Sequence, residues 1–253
     1  MTIGFALCGS YCTFAKVFPV MEQLTRDHRV VPIFSDNVQK TGSRFGEPAQ
    51  FYEKAFQITG VEPICSIADA EPIGPKKLLD ALVIAPCTGN TLAKLSHGIA
   101  DTPVTMAAKS HLRNGRPVIV AVSTNDGLAG AAENIGRLLA RKHYYFVPFG
   151  QDDPKNKPTS LVAHFDRIPE TVELAVRGIQ IQPIILLGGG TPPPTRSHNC
   201  PNRKQMQPAL DYPCHCHERN HAPVGHAFHA CRHAYNACPT FGLGFRLSWW
   251  VYP

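Results

Sequence analysis

The feature that most constrains this chain is a series of short, unbroken apolar runs, most of them ending in small polar residues. Ile3-Gly-Phe-Ala-Leu-Cys8, Arg29-Val-Val-Pro-Ile-Phe34, Ala81-Leu-Val-Ile-Ala-Pro86, Pro117-Val-Ile-Val-Ala-Val122 and Tyr144-Tyr-Phe-Val-Pro-Phe149 make up the series. A strand that is apolar at successive positions has no solvent face, and this places it in a parallel sheet covered on both sides. Between the runs, Phe14, Val17, Phe18, Met21 and Leu24 give the segment from Cys12 to Leu24 a helical apolar stripe. Further helices are predicted from Leu92 to Ile99 and from about Ala131 to Arg141, whereas the second run is expected to lead into a loop and no long regular helix. The pattern predicts an α/β fold with a three-layer, parallel-sheet architecture.

The alternation stops near Leu187. Up to that point the chain holds 19 Lys and Arg against 17 Asp and Glu, with 5 His and 4 Cys; the last 66 residues hold 6 against 2, with 7 His and 5 Cys. Two regions are therefore expected, an α/β domain over 1–187 and a Pro-, His- and Cys-rich tail over 188–253. The balanced charge of the first region gives no basic face for nucleic acid. The chain has no run of 18 apolar residues and no basic segment ahead of its first strand, so a cytoplasmic protein without a membrane span is expected. In the tail, Cys214-His-Cys-His217 and the following His and Cys residues are competent zinc ligands, but their crowding matches no zinc spacing, and no metal site is assigned. The tail is expected to be disordered, the product of a frame shift or read-through.

Doubly wound parallel sheets bind ligands beyond the carboxyl ends of their strands. Three of those ends carry small, hydroxylated or amide residues: Gly9-Ser10, Thr88-Gly-Asn-Thr91 and Ser123-Thr-Asn125. Small residues let a ligand reach the backbone, hydroxyls and amides bond phosphate oxygens and ring edges, and the next helix offers free N–H groups. A phosphate-bearing aromatic ligand fits this lining. The first strand is not followed by Gly-x-Gly-x-x-Gly, and no Gly-x-x-x-x-Gly-Lys-Ser/Thr loop occurs, which removes the main support for ordinary dinucleotide or ATP binding.

Gly9-Ser10, Ile84-Ala-Pro-Cys-Thr-Gly-Asn-Thr-Leu-Ala-Lys-Leu95 and Gly98-Ile-Ala-Asp-Thr102 resemble the homo-oligomeric flavin-containing cysteine decarboxylase family, in which Pro-x-x-x-Asn-Thr, here Pro86 to Thr91, is the most specific element. Within it, Ala70-Glu-Pro-Ile-Gly-Pro-Lys-Lys77, Ala107 to Pro117, Ser123-Thr-Asn-Asp-Gly127, Tyr145 to Pro154 and Lys157-Pro-Thr-Ser160 resemble the B subunits of dipicolinate synthases. The resemblance implies a flavodoxin-like, Rossmann-like fold that binds FMN, forms a homo-oligomer, and works with a dipicolinate synthase A subunit carrying NAD(P). It also implies oxidation of a dihydrodipicolinate-type dicarboxylate in the mother cell of a sporulating bacterium. Carried over by position, Gly9, Ser10, Ser35, Pro86, Thr88, Asn90 and Thr91 would meet the flavin, and Ser123, Thr124 and Asn125 replace the Pro-Ala-Met-Asn segment of the decarboxylases. Those decarboxylases use a His after the second strand, and residues 35–80 contain none. An independent FMN-dependent decarboxylase of the phosphopantothenoylcysteine type is thus the lesser alternative, and a non-catalytic assembly subunit is the reading from another class.

No catalytic residue is singled out by these motifs. Cys87 could be a nucleophile, but an apolar strand end without a neighbouring His points to a structural thiol, and Cys8 and Cys12 are expected to pack. His97 and His111 are expected at the surface or at helix caps. Arg113 and Arg116 are candidates for a substrate's carboxylates, because guanidinium groups bind them bidentately. The polar Gln151 to Pro158 loop is a candidate lid or subunit contact.

Overall fold

The computed structural model describes residues 1–186; the expectations for 188–253, a disordered or frame-shifted tail without a metal site, concern residues outside that range. The apolar runs form strands β1 (Thr2–Leu7), β2 (Arg29–Phe34), β3 (Ala81–Cys87), β4 (Val118–Thr124) and β5 (Tyr144–Phe146). They pair in parallel in the order β2-β1-β3-β4, with β5 beside the amino half of β4. That is the flavodoxin-like order, and its switch point, where successive crossovers leave in opposite directions, lies between β1 and β3. All of β3 and all but the last residue of β4 are buried, as unbroken apolar runs require.

The helices are α1 (Phe14–Thr25), α2 (Asp36–Lys40), α3 (Pro48–Thr59), α4 (Ile67–Ala70), α5 (Gly89–His97), α6 (Pro103–Leu112), α7 (Ala132–Leu139) and α8 (Ile168–Ala175). Helix α1 packs with α3 and α8 in one layer, and α5 packs with α6 and α7 in the other, where α4 also meets α6. Among the described residues no helix is long and apolar enough to cross a membrane.

Two features depart from the sequence reading. The segment after β2 holds a short helix and then α3, a regular helix of 12 residues. Its caps specify it: Glu47 and Gln50 form a reciprocal capping box, Pro48 occupies the first turn, and Gly60 closes the end at φ +64°. Its buried stripe is only Phe51 and Ala55, too narrow to stand out as a period. The second departure is at the fifth run, which breaks at Pro148. Phe149–Gly150 becomes β6 and pairs antiparallel with β7 (Leu161–Ala163), which in turn pairs antiparallel with the carboxyl end of β4. Proline cannot donate to a continued ladder, and the side chain of Gln180 closes β5 instead, bonding both the N–H and the carbonyl of Phe146.

The amino edge of the sheet is tied by polar contacts. The Arg116 guanidinium donates to the carbonyls of Leu79 and Lys77 and pairs with Asp80, whose carboxylate accepts the N–H of Thr2 at 2.8 Å. His111 belongs to this region too and corrects the expectation of a surface residue. It is fully buried, with Nε2 3.1 Å from the Pro117 carbonyl. Close packing continues at Gly74, where a Cβ would stand 2.6 Å from the Ser110 carbonyl oxygen. Its own carbonyl accepts from the Asn114 amide at 2.8 Å.

Gly74→Ala should therefore lower the unfolding free energy by about 1–3 kcal/mol, read as a lower urea midpoint at unchanged slope. The opposing surface is helix backbone, which yields less than a side chain. His111 gives a pH dependence. Burial pushes its pKa down to about 4 from 6.5, against the opposing bond to Pro117. The ring is neutral in the fold and charged in the unfolded chain below its ordinary value, so its share of stability is complete above pH 6.5 and is lost as pH falls toward 4. Over that window the unfolding free energy should drop by on the order of 3 kcal/mol, and His111→Gln should flatten that slope; an equal slope in the variant would reject the assignment.

Candidate functional site

Four strand ends meet at the carboxyl edge of the sheet. β1 runs into Cys8, Gly9 and Ser10, β2 into Ser35, β3 into Thr88, and β4 ends at Ser123 and Thr124. Thr88 caps α5, its hydroxyl accepting from the N–H of Thr91, and the Thr91 hydroxyl reaches the Cys8 sulfur at 3.4 Å. These contacts fix the amino end of α5 against the end of β1, across the switch point. Gly9, Ser35, Thr88, Asn90 and Thr91 then line one polar cavity of about 80 Å³, together with Asp36, Asn37 and Lys94. This volume suits one phosphate-sized group, well short of the 300–1,000 Å³ of a complete small-molecule pocket.

The cavity has an unmatched donor. Ser35 begins α2 without capping it, and its hydroxyl oxygen is buried with no hydrogen-bond partner. An unsatisfied buried hydroxyl costs about 1–3 kcal/mol, and a phosphate oxygen at this point would satisfy it. Gly89 adds the close approach: a Cβ there would come within 2.8 Å of both the Thr124 hydroxyl and the Asp126 carboxylate. With the free N–H groups of α5 and the Lys94 ammonium, the donor set fits a phosphate monoester such as that of FMN.

The remaining expected residues are arranged around this cavity. Ser10 and Ser123 share a hydrogen bond of 2.8 Å that reaches across the end of β3. Thr124 donates to Asp126, and the Asn125 carbonyl accepts from Thr159 at 2.6 Å, so β4's end is tied to the segment after the Gln151 to Pro158 loop. Pro86 is buried inside β3 and shapes the strand end without lining the cavity. Arg113 and Arg116 are not brought to this edge. Arg113 follows α6 and Arg116 precedes β4, so both stand at the amino edge, where Arg116 is held by backbone carbonyls.

Lys94 was not among the residues expected from sequence. It lies four residues after Asn90 and three after Thr91, the spacing that puts all three on one helix face. Its ammonium pairs with Asp101 at 2.9 Å, and the hydrogen bond from Lys94 holds the Asp101 carboxyl below its ordinary pKa. Asp101 thereby restrains the ammonium of a residue that lines the cavity.

The described cysteines differ in burial, with Cys65 half-buried. Cys8 and Cys87 are buried, while Cys12, expected to pack, is exposed. Burial pushes the Cys8 thiol up to about 11, opposed by the Thr91 hydroxyl, and burial with Cys8 nearby pushes Cys87 well above its ordinary value. Both thiols stay protonated and inert near neutral pH. Among the described residues no cluster of metal-ligating side chains occurs.

The sheet has flavodoxin order with a phosphate-sized polar cavity at its switch point, and the chain belongs to the Flavoprotein family, whose model matches residues 1–146. Within that class it is similar to the dipicolinate synthase B subunit of Bacillus subtilis (strain 168), at 49% identity over 185 residues, 73% of this chain and 92% of the relative. The crystal structure of the dipicolinate synthase B subunit from Bacillus halodurans C superposes with a TM-score of 0.68 at 47% identity, over 74% of this chain and 96% of that one. The FMN-dependent cysteine decarboxylase SpaF shares the fold, with a TM-score of 0.52 at 20% identity, over 70% and 97% of the two chains.

Treating the folded chain with iodoacetamide at mildly alkaline pH and mapping the peptides should show Cys12 labelled while Cys8 and Cys87 stay protected until denaturant is added. Labelling of Cys87 in the folded state would restore its candidacy as a nucleophile.

Proposed function

We propose that this chain is the flavin-binding subunit of a dipicolinate synthase, an oxidoreductase that converts a dihydrodipicolinate-type dicarboxylate to dipicolinate together with an A subunit carrying NAD(P). The observation that carries this reading is the 49% identity to a dipicolinate synthase B subunit over 92% of that protein's length. The cavity at the switch point supports it. Ser35 and Thr88 would donate to the FMN phosphate, Lys94 would neutralise its charge, and the α5 amino end would supply backbone N–H groups. Ser123, Thr124 and Asn125 would border the ring. Bound flavin supplies a two-electron acceptor for the hydride that leaves when a dihydropyridine becomes aromatic. The chain's own residues would bind and orient, and the 80 Å³ cavity has room for the phosphate end alone.

The decarboxylase alternative has less support, since the helices and loops of residues 35–80 contain no His to serve that chemistry. By resemblance the site of action is the mother cell of a sporulating bacterium.

Titrating FMN into the full chain while recording its absorbance and fluorescence tests the cofactor site. The native chain should bind, and Ser35→Ala and Thr88→Val should each weaken binding about tenfold. Equal affinity in both variants would overturn the placement. Dipicolinate formation should require this chain and the nicotinamide-binding subunit together. An equal rate from the partner alone would reduce this chain to assembly.

A further inference from the structure

The amino edge of the sheet holds a larger cavity, of about 520 Å³, that the flavin reading does not use. It shares no lining residue with the switch-point cavity, although the two come within one turn of α6, where Thr105 of this wall meets Thr102 of the other at 2.8 Å. Leu95, Ile99, Leu112 and Tyr144 give it apolar walls. Lys109 and Arg113 approach from α6 and the turn after it, while Arg141, Lys142 and His143 approach from the turn between α7 and β5. No Asp or Glu lines it. Lys109, Arg113 and Lys142 form no ion pair among the described residues.

Two observations show a wall held in place. The Arg141 guanidinium is anchored by the carbonyls of Leu95 and Ser96, at 3.1 and 2.6 Å, so its charge is fixed beside the apolar surface. His143 adopts the left-handed backbone region, φ +69°, while its carbonyl accepts the N–H of Val118 at 2.8 Å. Few residues other than glycine adopt that region, and the bond to Val118 holds His143 in it. Tyr144 keeps its phenolic proton, because burial pushes its pKa up to about 12 against the opposing Arg141 charge.

We propose that this cavity is a second binding site, for an aromatic or heteroaromatic dicarboxylate. Its volume lies in the small-molecule range, its apolar walls suit a flat ring, and cations reaching it from two separate elements suit an anionic group at each end of the ligand. With no lining residue in common with the switch-point cavity, it is a site distinct from the one assigned to the flavin phosphate. The choice of pyridine-2,6-dicarboxylate as its ligand rests on the proposed function; the planar dianionic class rests on the cavity.

Calorimetric titration of the full chain with pyridine-2,6-dicarboxylate, in metal-free buffer, tests this directly. One molecule should bind per chain, and Arg113→Gln combined with Lys142→Gln should weaken it about tenfold or more. Pyridine-2-carboxylate, with one charge, and glutarate, with no ring, should both bind more weakly. FMN titration in the same variant should match the native chain. A chain that binds the dicarboxylate but no FMN would fail the flavin reading and leave this site standing. Equal binding in the double variant, no binding at all, or binding of an oligoglutamate peptide in preference to the dicarboxylate would overturn the proposal, the last by marking the cavity as a docking point for an acidic protein segment.

Discussion

The structure depends on taking the central parallel strands out of water on both faces. Once Ala81–Cys87 and Val118–Val122 are covered by helices above and below, no polar side chain can be accommodated along their length without a buried partner. Chemistry is confined to the two edges where the strands emerge. Each edge inherits a character from the connections that cross it: at the carboxyl edge, tight strand-to-helix turns with small residues and helix amino ends; at the amino edge, helix-to-strand returns rich in Lys, Arg and His.

That division accounts for both cavities. At the carboxyl edge the donors are hydroxyls and backbone N–H groups held within a few ångströms by caps and short bonds, which makes a cavity small enough for only a compact group. At the amino edge the donors are long side chains around an apolar floor, which makes a wider site. Arg116 shows that not every cation there is available, since two carbonyls and Asp80 already occupy it.

Much of this was legible in the sequence. The five apolar runs marked the strands because burial on both faces leaves no alternation to confuse with a helix, and Thr88-Gly-Asn-Thr91 marked the strand end that borders the small cavity because a cap and a glycine suit a tight strand-to-helix turn. Helix α3 was hidden because its specification lies in Glu47, Gln50 and Gly60, and only two of its residues are buried. The antiparallel pair β6–β7 was hidden because two- and three-residue strands carry no period. Lys94 could have been read from its spacing to Asn90, whereas the burial of His111 could not, because it follows from the approach of α6 to Pro117 and not from any neighbour in the sequence.

The hydroxyl pair of Ser10 and Ser123 has a consequence for the geography of the carboxyl edge. Because β3 lies between β1 and β4, the bond from Ser10 after β1 to Ser123 near the end of β4 crosses the edge like a bar. A neutral hydrogen bond of this kind contributes only about 1 kcal/mol, and each serine can exchange it for a bond to something bound. The end of β3 is therefore spanned by a tie between its two neighbours that is held no more firmly than one exchangeable hydrogen bond.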